Sequence, residues 1–241
     1  MTKVILYDIP TRAPAKSWSL NPLKTRMILN YKGIDYQTQW VEYPDLVATL
    51  KAIGLPPNDP TEANYFTDYT SPAVRYADGT PSMDSWKIAH ELEERYPSPP
   101  LHLDDPIVVK VRDHINLMRK PLDPWMMPKV PTNILGKESA EYFELTRAER
   151  YGMQLSQLAE KANEDCWEEA KGPAIEIAEL LKKKGGPYFI GKTVSYADFI
   201  LVSFLHCMKR IDVDMFQRYL GFDPAFGQVY DASRQWLAKD D

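Results

Sequence analysis

The chain has 241 residues, 44% of them hydrophobic, enough for two small domains with proper cores. Its 29 Lys and Arg against 34 Asp and Glu give a formal charge of −5, with both signs interspersed along the chain. That argues against nucleic acid as a partner, because holding phosphates needs concentrated positive charge.

The two cysteines, Cys166 and Cys207, have neither CxxC nor Cys/His spacing, and His90, His102, His114 and His206 are scattered. Reduced thiols and no metal site are therefore expected. No run nears the roughly 18 apolar residues of a membrane span, and the N-terminus is apolar for too short a distance to be a signal peptide. The expectation is a cytoplasmic protein that does not engage membranes.

Residues 3–8, KVILYD, are a short apolar run rich in β-formers and read as a first strand. A polar loop leads to NPLKTRMILNYKG, 21–33, a complete helix pattern: Asn21 to cap it, Pro22 at the first helical position, Gly33 to end it. IDYQTQWVEY, 34–43, reads as a second strand and completes a βαβ unit. The proline-rich stretch 44–70, with a short helix at DLVATLKAIG, is longer than an ordinary connection, and long ordered loops are commonly functional. AVRYADGTPSMD, 73–84, has the pattern of a hairpin turning at Asp78-Gly79. DSWKIAHELEERYP then carries Trp86, Ala89, Leu92 and Tyr96 at helical spacing and stops before Pro97. The order β-α-β, loop, β-β-α is that of a thioredoxin-like α/β domain, residues 1–97.

From Ser98 the composition changes. Helices are predicted at about 106–119, 139–160, 163–184, 195–211 and 226–238, so residues 98–241 read as an all-α domain. In VSYADFILVSFLHCMKRI, Ser195 and Asp198 have the spacing of a capping box, and Val194 and Phe199 that of a hydrophobic staple. Apolar residues then cover almost every face, which sets this helix in the middle of its domain.

A thioredoxin-like half followed by an all-helical half, with PYFIGKTVSYADFILVSFL in the latter, resembles the glutathione S-transferases over essentially the whole chain. The likeness is carried by the Ser195/Asp198 box, by Ser71-Pro72 before the third strand, and by Asp84-Ser85 at the start of the third helix. WVEYPD, WSLNPLKTR and DSWKIAHELEERYP are most similar to the fungal-specific FuA class, related to bacterial lignin β-etherases. The resemblance implies glutathione as co-substrate, a homodimer, and conjugation of hydrophobic or aromatic electrophiles or cleavage of aryl ethers by the same displacement. The runner-up is a ligandin-type binding protein for aromatic compounds with little turnover. A regulatory or translation-associated module, which would be expected to carry an extra domain or tail, ranks last.

Glutathione reacts as its thiolate, and a thiol with pKa near about 8.5 is only a few per cent ionised at pH 7. A hydroxyl just before a helix N-terminus can donate to the sulfur while the free amides and dipole favour the anion. The resemblance assigns this to Ser19, which forms no covalent bond, and so no cysteine is needed there. The family's serine is commonly followed by proline, whereas here Leu20 follows and the proline is Pro22. That leaves the Asn21 amide able to donate to the sulfur too, with Ser17 as a rival. Ser71 before a cis Pro72 would pair its backbone with the tripeptide, and Asp84-Ser85 would hold the γ-glutamyl end. Lys24, Lys51 and Trp40 are open alternatives for the glycyl carboxylate. Trp18, Trp125, Met126 and Met127 are candidate walls of the electrophile pocket.

Overall fold

The computed structural model describes residues 3–61 and 65–240, so part of the 44–70 stretch, residues 62–64, lies outside the described residues. β1 (Val4–Asp8) leads through a loop into α1 (Leu20–Tyr31) and returns as β2 (Tyr36–Trp40), parallel to β1 with Val4 opposite Tyr36. The short helix expected in the 44–70 stretch forms as α2 (Leu46–Ala52). β3 (Ala73–Arg75) and β4 (Pro81–Met83) make the hairpin, and α3 (Ser85–Arg95) follows. The sheet order is β2-β1-β3-β4, with β1 central and antiparallel to β3.

A buried ion pair ties α1 and the loop before it to β1. Arg26 Nη2 lies 3.1 Å from Asp8 Oδ2, and both side chains are essentially inaccessible. The Ser17 hydroxyl donates to the same carboxylate at 2.6 Å, and Arg26 also donates to the Thr38 hydroxyl at 3.0 Å. Burial pushes the Asp8 carboxyl pKa up, against the pull of Arg26 and of the Ser17 hydrogen bond. Removing either partner would leave a buried charge uncompensated, a cost of about 3–5 kcal/mol. The network therefore holds the segment that presents Ser19.

Every element after Ser98 is helical among the described residues: α4 (Pro106–Arg119), α5 (Asp123–Met126), α6 (Lys129–Asn133), α7 (Lys137–Tyr151), α8 (Leu155–Ala159), α9 (Glu164–Lys182), α10 (Tyr196–Ile211), α11 (Val213–Leu220) and α12 (Pro224–Leu237). α10 is buried on nearly every face, as its composition requires. Its capping box forms: Asp198 Oδ2 accepts the Ser195 N–H at 2.7 Å and the Ser195 hydroxyl at 2.8 Å, while Oδ1 accepts the Phe189 N–H at 2.9 Å. Val194 and Phe199 are both buried. No described helix is long and apolar enough to cross a membrane. The architecture is a thioredoxin-like half joined to an all-helical half.

Three expectations need correction. The helix expected at 139–160 breaks at Gly152, which takes a left-handed conformation (φ 66°), so α7 and α8 are separate. α5, α6 and α11 were not expected; the Asp212 side chain caps α11 by accepting the Met215 N–H at 2.9 Å. Asn21 is not the cap of α1, because the first helical residue is Leu20, two residues before Pro22, and the cap is Ser19.

Candidate active site

Leu20, Asn21 and Pro22 are the first three residues of α1, and Ser19, with extended backbone (φ −78°, ψ 140°), is its N-cap. A serine in that position ordinarily turns its oxygen over the first turn to accept the amide of the second or third helical residue. Here the third is Pro22, which has no N–H. The first amide, that of Leu20, donates to Cys207 Sγ on α10. The Ser19 hydroxyl makes no cap bond, and among the described residues it has no other partner. A half-buried hydroxyl and the Asn21 amide therefore stay unspent, among the described residues, at the positive end of α1, where proline removes the third amide.

Lys24 orients the next donor. Its ammonium donates to Asn21 Oδ1 at 2.9 Å. An ammonium has no acceptor, so the atom facing it must be the amide oxygen, and the Asn21 NH₂ has no partner among the described residues. Lys24 is only 8% exposed and makes no ion pair among the described residues. Burial pushes its pKa down to about 8, and the charge of Asp84 opposes that fall.

Asp84 caps α3 with one oxygen, accepting the amides of Trp86 at 2.8 Å and Lys87 at 3.2 Å. Its backbone sits at φ 78°, ψ 124°, a region that L-residues rarely adopt and that costs about 1–3 kcal/mol. Ser85 is buried, and the Tyr196 hydroxyl, at the start of α10, donates to its carbonyl at 3.1 Å. Ser71 precedes a cis Pro72, its hydroxyl donates to the Tyr7 carbonyl at 3.3 Å, and its backbone N–H and C=O have no partner among the described residues. The Pro72 carbonyl accepts the Asp84 N–H at 3.3 Å. Contacts therefore link β1, the start of α1, the Ser71-Pro72 edge and the cap of α3 at one end of the sheet.

Several expected site residues are placed elsewhere. Ser17 is fully buried with its hydroxyl committed to Asp8, which removes it as a rival to Ser19. Trp18 (4% exposed) and Met126 (1%) are core residues, so packing and not a ligand wall is their visible role. Trp125 donates from its indole to the Asn163 carbonyl at 3.1 Å and packs edge-on against Trp167, and Met127 is half-buried against the core. Of the alternatives for the glycyl carboxylate, Trp40 lies against the Arg26 guanidinium, Lys51 is exposed near Tyr69, and Lys24 is bound to Asn21. An open hollow of about 740 Å³ at the far end of α1 offers no chemistry. The charges around it are already paired, Lys32 with Glu93, Asp78 with Arg95 and Lys3 with Asp35.

Sequence reading missed Lys24 as the orienting group and Tyr196 as the tie between halves. The first was signalled by its spacing of three from Asn21 on one helix face. The second is a long-range contact with no local signal.

Family models for the glutathione S-transferase N-terminal domain and C-terminal domain match residues 18–95 and 112–219. The glutathione S-transferase-like protein ustS of Aspergillus flavus is 32% identical, over 96% of this chain and 90% of its own length. A glutathione S-transferase of Ceriporiopsis subvermispora, solved in complex with glutathione, superposes with TM-score 0.86 at 30% identity over 98% of each chain. Glutathione transferase GSTFuA2 from Phanerochaete chrysosporium superposes equally well, TM-score 0.86, at 25% identity over the full length of both. Two family models covering most of the chain, with a relative and solved structures alike over nearly all of it, place this chain in the glutathione S-transferase family.

Proposed function

We propose that the protein activates glutathione as a thiolate by a serine-type arrangement and transfers it to hydrophobic or aromatic electrophiles, aryl ethers among them. The observation that carries this is the Ser19 hydroxyl, without a partner among the described residues at the mouth of α1. Ser19 donates to the sulfur and the Asn21 NH₂, held by Lys24, supplies a second donor. Ser71 pairs its free backbone groups with the cysteinyl part, and the Ser85 amide and hydroxyl hold the γ-glutamyl carboxylate while Asp84 meets its ammonium. Residues 1–97 bind the tripeptide and 98–241 complete the electrophile side. In the reaction the sulfur pair forms a bond to the electrophilic carbon, and a halide or aryloxide leaves with the pair of the broken bond. Family membership supports a homodimer on the same reading, which sedimentation at twice the chain mass of 27.7 kDa would bear out.

The test is glutathione titration together with turnover of aryl halides, isothiocyanates and β-aryl ethers by the wild type and Ser19→Ala. The expected result is conjugation that depends on Ser19. Tight aromatic binding without thiol transfer would replace this reading with a ligandin.

A further inference from the structure

In the helical half, two arginines of α7, Arg147 and Arg150, gather on aromatic rings. The Arg147 guanidinium lies 4.3 Å from the ring centre of Phe143, 5.9 Å from Tyr43 and 5.8 Å from Phe66. Arg150 lies 3.8 Å from the ring centre of Phe66. The Tyr43 and Tyr142 rings stack at 6.0 Å and 13°. Arg119 is paired with Asp123, which also accepts the Tyr151 hydroxyl at 2.8 Å.

Arg147 and Arg150 are different. Among the described residues neither has an ion pair, although Glu144 and Glu149 stand on the same helix. Arg147 spends one donor on the Thr146 hydroxyl, at 3.1 Å. Burial and repulsion from Arg147 and Arg119 hold the Arg150 guanidinium below its ordinary pKa. Two cations kept together on aromatic faces, with in-plane donors unspent, form a receptor for a planar anion.

The chain just before Tyr43 is tied to the strand end that leads to Ser19: the Val41 N–H donates to the carbonyl of Asp8, the last residue of β1, at 2.9 Å. The Tyr43 hydroxyl feels the charge of Arg147 and also lies within the influence of Cys207 and Asp8. Cys207 accepts the N–H of Leu20, the residue after Ser19, and feels Arg119. On the thiol-transfer reading, we infer that the electrophile is an aromatic molecule carrying a carboxylate, its ring beside Tyr43 and its charge between Arg147 and Arg150.

The test compares a halonitrobenzoate with its methyl ester as acceptors for glutathione, in the wild type, the Arg147→Met/Arg150→Met double variant and Arg147→Lys. Methionine keeps apolar packing where the arginine stems lay. The expected wild-type preference for the acid in kcat/KM is at least about tenfold, the scale of a charged hydrogen-bonded pair. It should shrink with added salt, collapse towards parity in the double variant, and be partly retained in Arg147→Lys. Equal use of acid and ester by the wild type, or a preference that survives the double substitution, overturns the inference and leaves thiol transfer standing. No thiolate and no turnover of either acceptor overturns both.

Discussion

The molecule has two helices capped by serine whose hydroxyls are used in opposite ways. Ser195 is 1% exposed, and its hydroxyl and amide are both given to Asp198, which also receives the Phe189 N–H. Ser19 is half-buried, with its hydroxyl committed to nothing among the described residues. The difference lies in the third helical residue. After Ser195 it is a carboxylate that closes the box, and after Ser19 it is a proline that has no N–H to offer. One cap stabilises a helix in the core; the other keeps a hydroxyl with no partner among the described residues.

Substitutions should separate the two. Ser19→Ala is expected to lower turnover by about 10²–10³, or about 3–4 kcal/mol, the cost of losing one preorganised donor to an anion. Its stability should stay within about 0.5 kcal/mol of wild type because no cap bond is lost; a melting curve and steady-state rates check both halves.

The box has its own signature in pH. Burial raises the Asp198 pKa from 3.8 to about 6, so between those values the folded chain holds a proton that the unfolded chain has shed. The stability contributed by this residue is greatest below about pH 4, falls by on the order of 3 kcal/mol as pH rises through about 6, and is flat above. Denaturant titrations of the wild type should show that fall and Asp198→Asn should lack it.

Ser195→Ala should cost about 1 kcal/mol of stability with the rate per folded molecule unchanged. Pro22→Ala gives α1 its missing N–H, which should draw the Ser19 oxygen over the first turn. Turnover should then fall about threefold, roughly 0.7 kcal/mol, with no loss of melting temperature. Unaltered turnover would show that proline is not what frees the hydroxyl.

The elements with strong local signals were legible: β1, the Asp78-Gly79 hairpin and the α10 box all follow from short-range chemistry. The start of α1 was misplaced because proline is usual at the first helical position, and nothing local revealed that the Leu20 amide would find Cys207 as a partner. The electrophile wall is legible only in part, for a related reason. Apolar character marks Trp18 and Met126 as buried but does not say whether they face a ligand, and the meeting of Tyr43 with Tyr142 and Arg147 joins residues far apart in the chain.

The most direct test is the pKa of glutathione bound to the wild type and to Ser19→Ala, read by titrating the thiolate absorbance of each complex. The expected wild-type value lies at least about one unit below the roughly 8.5 of an ordinary thiol, with Ser19→Ala returned most of the way towards that ordinary value. An equally acidic thiol in both proteins would contradict the role given to the Ser19 hydroxyl.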